Sequence, residues 1–208
     1  MRIVLIGPPG SGKGTQSKRI AERLDIQHIS SGALFRIAVL AGSTLGKAAE
    51  SYMKEGLLVP DDLATGIVAE RIKQSICENG FVLDGFPRNL TQARALDSDL
   101  DRINKPIQQV FVIEVTDAEV IARITGRRMD PETGNIYHNK FEPAPDEIKP
   151  RLVQRADDTE ETVKKRLAAY NKETLPIIAF YAGRGIVHKI SGEGKPDVVE
   201  NRLLKRLK

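Results

Sequence analysis

Residues 7–15 read Gly7-Pro8-Pro9-Gly10-Ser11-Gly12-Lys13-Gly14-Thr15 and follow the apolar run Arg2-Ile3-Val4-Leu5-Ile6. The apolar run predicts a buried strand, and the pattern of residues 13–24 predicts a helix directly after the glycines. A glycine, four residues and then Gly-Lys is the spacing of a P-loop. Backbone N–H groups and the helix N-terminus bind phosphate oxygens in such a loop, and Lys13 would reach the terminal phosphates. The stretch therefore predicts a nucleotide-binding α/β fold.

Strands and helices alternate along the rest of the chain. Short apolar runs at residues 81–83, 110–113 and 186–187 predict buried strands. Helical patterns cover residues 61–77, 117–125, 159–181 and 197–207, and Asp158 or Thr159 is the candidate N-cap of the third of these helices. The alternation predicts a P-loop NTPase-type core, in which helices cover a parallel sheet on both faces.

Two stretches interrupt this alternation. Residues 30–59 predict a helical insertion between two strands, and residues 126–158 contain four of the chain's 11 prolines. Loops of this length in compact folds are usually functional. Ile136, Tyr137 and Phe141 lie in a hairpin-like context, so we expect residues 126–158 to form a small folded lid. The core would then consist of residues 1–29, 60–125 and 159–208.

Composition narrows the classes of function. The 208 residues are 40% hydrophobic and 29% charged, which is typical of a globular fold, and no apolar window approaches the roughly 18 residues of a membrane span. The first apolar run is too short for a signal peptide, and the single cysteine, Cys77, excludes an internal disulfide framework, so we expect a cytoplasmic protein. The net charge of +4 comes from scattered arginines with few aromatic residues, which argues against a nucleic-acid partner.

A second motif, Asp84-Gly85-Phe86-Pro87-Arg88, follows the predicted strand at residues 81–83. Ligands gather at the carboxyl ends of parallel strands, so Asp84 is a candidate to hold Mg²⁺ through water. Thr15 is a further candidate, because Gly14 occupies the position where a P-loop usually has Ser or Thr. Arg88 carries a planar guanidinium, which suits a phosphate better than an ammonium does.

Together the motifs resemble the adenylate kinases, within the nucleoside monophosphate kinases, over essentially the whole chain. The resemblance rests on the loop at residues 7–16, on residues 84–88 and on further stretches in the same order: Ser30-Ser31-Gly32-Ala33-Leu34-Phe35-Arg36, Gly126-Arg127-Arg128, Gly134-Asn135-Ile136-Tyr137-His138 and Arg155-Ala156-Asp157-Asp158 with Arg166. It implies a monomer that transfers the γ-phosphoryl group of ATP reversibly to AMP, with Mg²⁺, giving two ADP.

The resemblance also implies roles for individual residues. ATP would be bound by Gly10, Ser11, Gly12, Lys13, Gly14 and Thr15, together with Arg123, Arg127, Ile136, Tyr137 and the backbone of Lys195. AMP would be bound by Ser31, Arg36, Leu57, Leu58, Val59, Gly85, Phe86, Pro87, Arg88 and Gln92, with Arg155 and Arg166 holding phosphates from the lid side. The amide of Gln92 would read the adenine edge. Catalysis would depend on six cations: Lys13, Arg36, Arg88, Arg127, Arg155 and Arg166.

These residue types suit the chemistry. A phosphate acceptor is already anionic, so transfer needs no general base. The obstacle is to bring two anions together, and arginines with Mg²⁺ offset their repulsion. Water is the competing acceptor, and closure of the lid would exclude it.

Two features bear on alternatives and on metal content. Many adenylate kinases have four zinc-binding positions in the lid, but residues 126–158 contain no cysteine, so we expect polar side chains or packing rather than zinc to hold it. Asn89 directly after Arg88 resembles the pattern of the uridylate-cytidylate kinases, which makes transfer to UMP or CMP the alternative. Gln92 and the long lid favour AMP. A nucleotide-dependent switch or ATPase is the alternative from another class.

Overall fold

The computed structural model describes residues 1–207 and has a five-stranded parallel sheet at its centre. The strands of the chain are β1 (Arg2–Ile6), β2 (Gln27–Ser30), β3 (Phe81–Asp84), β4 (Gln109–Glu114), β5 (Arg127–Met129), β6 (Ile136–His138) and β7 (Val187–Ser191). The central sheet has the order β2-β3-β1-β4-β7, and all its neighbouring strands are parallel. This confirms the predicted α/β fold class.

Nine α-helices connect the strands within residues 1–207. They are α1 (Lys13–Leu24), α2 (Ser31–Leu40), α3 (Thr44–Glu55), α4 (Asp61–Ile72), α5 (Leu90–Arg102), α6 (Asp117–Thr125), α7 (Glu160–Ala169), α8 (Leu175–Ala182) and α9 (Pro196–Leu204). None of them is long and apolar enough to cross a membrane.

Three predicted helices are shorter than expected or interrupted; one of them, expected over residues 197–207, ends at Leu204. The helix expected over residues 61–77 ends at Ile72 and is followed by a 3₁₀ turn at Ser75–Cys77. The helix expected over residues 159–181 contains a π-helical turn at Tyr170–Thr174. Pro176 has no N–H to continue the α-helical ladder, which accounts for the change of pitch just before it. Thr159 caps α7 by accepting from the Thr162 N–H, so of the two candidate caps it is Thr159 that acts.

Apolar residues alternate along β1 and divide the core between the two faces of the sheet. Val4 and Ile6 face a cluster that includes residues of α4, α5 and α8. Ile3 and Leu5 face a smaller cluster that includes residues of α1 and α9. Because helices cover both faces, β1 is apolar on both sides, as is typical of a buried parallel strand.

Residues 30–59 form a pair of helices that share the main core. Phe35 of α2 and Ala49 of α3 are buried in the same cluster as the sheet residues. The two helices approach closely at Gly46, where an added Cβ would overlap the backbone of Ala38. The backbones can meet there because glycine carries no side chain.

Residues 126–158 are held mainly by polar contacts. β5 and β6 form an antiparallel hairpin, and Met129 adds a bridge to Val153. Beside it, the buried Asp130 carboxylate accepts from Arg151 Nε at 2.9 Å and Nη2 at 2.6 Å, and from Thr133 Oγ1 at 2.8 Å. The pKa of Asp130 is lowered to about 2, mainly by the hydrogen bonds from Arg151, so the carboxylate is ionised at neutral pH. Ala144 is the one buried apolar residue of this segment, all of which the structure describes.

Candidate functional site

The loop between β1 and α1 has the backbone that the glycine pattern requires. Gly10 and Gly12 have φ values of 72° and 90°, which favour glycine. The loop returns Lys13 over its own backbone, where Nζ donates to Gly7 O at 2.7 Å and to Pro8 O at 2.8 Å. The pKa of Lys13 is lowered to about 8, chiefly by burial; Asp84 opposes this effect, and the neighbouring Arg88 and Arg166 contribute to it. The ammonium is therefore poised beside other cations at the start of a helix.

Asp84 ends β3 directly beside this loop. A Cβ on Gly14 would lie 3.4 Å from Asp84 Oδ2, so the carboxylate is close to the first turn of α1. His28 Nε2 of the neighbouring strand β2 lies 3.7 Å from the same oxygen. Burial acts to raise the pKa of Asp84, but His28 and then Lys13 outweigh it, so the pKa is below its ordinary value. The site thus contains a largely buried, ionised carboxylate next to the loop.

Two adjoining clefts run from the loop to the start of α5. The first, about 600 Å³ and open to solvent, is lined by Ser31, Arg36, Leu57, Leu58, Val59, Gly85, Phe86, Arg88, Gln92 and Arg166 of the predicted AMP site. The second lies at the P-loop and is lined by Lys13, Pro87 and Tyr170, among others. Arg88 and Arg166 line both clefts. A ligand in either cleft would therefore contact the same two guanidinium groups.

Arg88 is fixed from three sides. Its Nε donates to Gly85 O at 2.7 Å, its backbone N donates to Gln92 Oε1 at 2.8 Å, and its carbonyl accepts from Thr174 Oγ1 at 2.7 Å. Burial, followed by the charge of Arg166, lowers the pKa of Arg88 to about 10, which still leaves it protonated at neutral pH. Thr174 belongs to the π-helical turn, so this turn supports the arginine that joins the clefts.

Two aspartates of the 126–158 segment bind two of the predicted catalytic arginines. Asp158, fully buried, accepts from Arg127 Nε at 2.9 Å and from its Nη2. Asp157 Oδ2 accepts from Arg166 Nη1 at 2.7 Å. In the sequence these aspartates belong to the motif at residues 155–158, and Asp158 is in addition a candidate helix cap. Their adjacency to Arg155 in the chain was the signal that pointed to them.

Arg36 and Arg155 complete the group of cations. Burial lowers the pKa of Arg155 to about 10, with Arg127 and Arg36 next in effect. The Nε of Arg155 is buried and finds no hydrogen-bond partner within residues 1–207. Burial also lowers the pKa of Arg36, which Asp157 opposes and Arg127 reinforces. Mutually destabilised cations of this kind are suited to bind anions such as phosphates.

The remaining predicted ATP contacts lie around the P-loop without lining either cleft. Arg123 donates to Gly192 O at 2.8 Å and to Ser11 O at 3.5 Å, so it bridges the loop and the segment after β7. Lys195 precedes α9, and Gln16 of α1 donates to the neighbouring Pro196 O at 2.9 Å. Ile136 and Tyr137 lie on β6, near the point where Lys18 of α1 reaches Asn135 at 3.5 Å.

The site as a whole can bind two anionic groups against one set of cations. The positive groups around Asp84 hold its pKa below the ordinary value, which makes its carboxylate a weak base for activating a hydroxyl acceptor. Within residues 1–207 no three His, Cys, Asp or Glu side chains are grouped to hold a metal ion by themselves. The arrangement therefore suits transfer between two phosphate groups, with any cation shared between the protein and a nucleotide.

Comparisons with known proteins agree with this chemistry. The family model described as adenylate kinase matches residues 5–186. An adenylate kinase of Fusobacterium nucleatum is 45% identical over 207 residues, covering 100% of this chain and 98% of its own. One of Moorella thermoacetica is 48% identical over 197 residues (92% and 91% of the two chains), and one of Thermodesulfovibrio yellowstonii is 44% identical over 208 residues (98% and 97%). This chain therefore belongs to the adenylate kinase family.

Proposed function

We propose that this protein transfers the γ-phosphoryl group of ATP reversibly to AMP, with Mg²⁺, and yields two ADP. One observation carries the proposal: Arg88 and Arg166 line both the cleft of Gln92 and the cleft of Lys13. Two nucleotides bound in these clefts would meet with their phosphates at the shared arginines. The names of the relatives support the same reaction. The protein would act on free nucleotides as a cytoplasmic monomer.

The first cleft would bind AMP. The hydroxyl of Ser31 lies at its wall and donates to Gly85 O at 2.7 Å, while Gln92 is buried at its end. The apolar residues Leu58 and Val59 would contact the base. Arg36 and Arg88 carry the positive charge that a dianionic monophosphate requires. In this arrangement the base would lie away from the arginines, and the phosphate would lie beside them.

The P-loop would bind the phosphates of ATP. Its glycines leave backbone N–H groups accessible, and α1 begins there, so the partial positive charge of the helix N-terminus favours anions. On arrival of the phosphates, Lys13 Nζ would exchange Gly7 O and Pro8 O for phosphate oxygens. Arg123 and the Lys195 backbone would flank the adenine, and Ile136 and Tyr137 would cover it.

The site has residues that fit Mg²⁺. The ion prefers oxygen ligands and retains several waters, so it needs few protein groups. Asp84 is ionised beside the first turn of α1, and the hydroxyl of Thr15 lies in that turn. These two residues would hold Mg²⁺ through water, and the ion would neutralise charge on the donor phosphates. No structural zinc is part of the proposal.

Transfer itself would depend on positioning and on charge. The acceptor oxygen is already anionic, so the protein has to align it with the γ-phosphoryl group and offset the charge that spreads over the phosphoryl oxygens. Arg88 and Arg166, which line both clefts, and Lys13, which lines the second, would serve this purpose. The two inserted segments would add positive charge around the phosphates through Arg36, Arg127 and Arg155.

We further propose that residues 30–59 and 126–158 move relative to the core. Closure of the first would bring Arg36 and the backbone of residues 57–59 onto AMP. Closure of the second would bring Arg127 and Arg155 onto the phosphates and exclude water. Asp157 and Asp158 support this idea, because they hold Arg166 and Arg127, respectively, by ion pairs that phosphates can replace.

The direct test supplies MgATP with one acceptor at a time. We expect rapid ADP formation with AMP and at least tenfold slower diphosphate formation with UMP or CMP. Comparable rates with UMP or CMP would favour the pyrimidine-kinase alternative. ATP hydrolysis at a similar rate without acceptor would contradict a kinase and favour an ATPase.

Matched substitutions test the roles proposed for Arg88 and Lys13 in transfer. Arg88→Ala and Lys13→Met should each lower the transfer rate by about 10²–10⁴-fold, since both remove charge that stabilises the transition state. Arg94→Ala and Lys18→Met are the controls, because these exposed residues lie on α5 and α1 outside the clefts. Near-normal turnover of Arg88→Ala or Lys13→Met would refute the role assigned to that residue.

A further inference from the structure

Asp61, the first residue of α4, lies behind Gln92 rather than in the lining of the cleft. Its Oδ1 accepts from Gln92 Nε2 at 2.8 Å and from Asn89 Nδ2 at 2.8 Å. Asn89 in turn caps α5 by accepting from the Gln92 N–H at 2.9 Å. One carboxylate oxygen thus ties the start of α4 to the residue that would read the base.

These contacts fix which way the Gln92 amide faces. A carboxylate only accepts hydrogen bonds, so the group facing Asp61 has to be the NH₂ of Gln92. The Arg88 backbone N–H only donates, so the group facing it, at 2.8 Å, has to be Oε1. A flipped amide would place oxygen against the carboxylate and NH₂ against an N–H. Both contacts therefore select the same orientation.

The orientation leaves a defined pair of groups for a ligand. Nε2 carries two protons and donates one of them to Asp61. Oε1 has two lone pairs and accepts from the Arg88 N–H with one of them. One donor and one acceptor remain on a side chain that is only 1% exposed and lines the cleft. A 6-aminopurine offers a donor at N6 and an acceptor at N1, which can pair with these two groups. A 6-oxopurine offers an acceptor at O6 and a donor at N1, so the same amide would face it with the wrong polarity.

We infer that Asp61 is a specificity-determining positioning residue, which sets the polarity of Gln92 and so makes the acceptor site select 6-aminopurine over 6-oxopurine monophosphates. The inference rests on the proposed function, because it concerns the acceptor cleft. Asp61 acts through Gln92 and does not contact the nucleotide. Loss of its acceptor oxygen leaves only the Arg88 N–H to oppose the flipped amide.

The test compares AMP with IMP as acceptor, at saturating MgATP, in wild type and three variants. Asp61→Leu removes the acceptor at similar size, and Asp61→Asn retains an oxygen that can accept both bonds. Asp62→Leu is the matched control, since Asp62 is exposed and also lies in the first turn of α4. IMP is followed by turnover or, where that is too slow, by its inhibition constant against AMP.

Asp61→Leu should lower the ratio of kcat/KM for AMP to that for IMP by about tenfold to hundredfold, as expected for loss of a hydrogen bond to a charged group. The change should appear mainly in the KM for AMP, with the KM for ATP unchanged. Asp61→Asn and Asp62→Leu should stay within about threefold of wild type. Asp61→Ala serves as a second disruptive variant if leucine impairs folding.

Two results would overturn the inference. One is an unchanged AMP-to-IMP ratio in a folded Asp61→Leu or Asp61→Ala variant, including an equal loss for both acceptors. The other is a loss in Asp61→Asn as large as in Asp61→Leu. A wild type that forms no ADP from AMP would instead refute the proposed function. The two failures are therefore distinguishable.

Discussion

Residues 30–59 and residues 126–158 are both inserted beside the same cations, but different forces hold them. In the first segment, Phe35 and Ala49 are buried in the core that also covers the sheet. In the second, the buried side chains are mainly carboxylates in ion pairs, Asp158 with Arg127 and Asp130 with Arg151, and Ala144 is the only apolar residue buried among residues 126–158.

One fold thus holds these two segments by different forces, and we expect their stabilities to differ. Apolar burial couples the 30–59 segment to the core, so its unfolding costs core contacts. A polar network with little buried apolar area can open alone, since local opening free energies are lowest where few apolar contacts exist. We therefore expect the 126–158 segment to open independently of the rest.

The largest expected contrast is between two phenylalanines. Phe35→Ala should lower the free energy of unfolding by about 3–5 kcal/mol, because Phe35 is only 4% exposed in the core. Phe141→Ala should cost less than about 1 kcal/mol, because Phe141 is 54% exposed in the 126–158 segment. Denaturant unfolding measures both. Equal losses would show that the two segments are held in the same way.

Glycine substitutions give a smaller contrast. Gly46→Ala should destabilise by about 1–3 kcal/mol, because its Cβ would overlap the backbone of Ala38 and force α2 and α3 apart. Gly66→Ala should stabilise by about 0.5–1 kcal/mol, since a Cβ there meets open space among the described residues of a helix interior. Thermal unfolding of the two variants would show opposite shifts in Tm. A Gly46→Ala protein as stable as wild type would mean that the helices do not need this close approach.

The cations between the two segments should make ATP affinity depend on pH. Burial lowers the pKa of Lys13 to about 8 in the free protein, and bound phosphates would favour its charged form and raise that pKa. Affinity should then be constant just below pH 8 and fall above it, by up to about tenfold per pH unit. Calorimetry at pH 8.5 in two buffers should show proton uptake on ATP binding. The Lys13→Arg variant should show no proton uptake, because arginine does not titrate in this range. Absence of proton uptake in the wild type would contradict the assignment of the pH dependence to Lys13.

The smallest effect on global stability should come from the polar network. Arg151→Ala should speed amide hydrogen exchange at Met129, Val153 and their neighbours, while Tm changes far less than in Phe35→Ala. Lys149→Ala is the control, since its partner Asp146 is exposed. The low pKa of Asp130 means that this contribution is present above about pH 4 and is lost as the pH falls towards 2. Unchanged exchange in Arg151→Ala would show that the hairpin does not depend on the network.

The sequence predicted the elements whose signals are local. The strand, glycine loop and helix of residues 2–24 are found where the pattern indicated, because strand alternation and P-loop spacing are short-range features. Polar edge strands were harder: β2 was not named, and β7 extends through His188 and Lys189 beyond the predicted residues 186–187. An edge strand is half exposed, so it lacks the continuous apolar run of a buried one.

Contacts between residues distant in the chain could not be predicted from spacing. Asp130 meets Arg151 across 21 positions, and Asp61 meets Gln92 across 31. The residues that flank these two aspartates in the sequence do not distinguish them from the many exposed acidic residues of this chain. Only the packing of α4 on α5, and of the hairpin on its own following loop, brings these partners together.

The shared cations should direct the γ-phosphoryl group to a phosphate and not to water, and a label on that group shows which acceptor receives it. ATP labelled with ³²P at the γ position is incubated with Mg²⁺ and AMP, and the label is followed in ADP and in inorganic phosphate. We expect the label to appear in ADP, with inorganic phosphate forming at least a hundredfold more slowly, because the site closes over its substrates. Label released as inorganic phosphate at a comparable rate would contradict it.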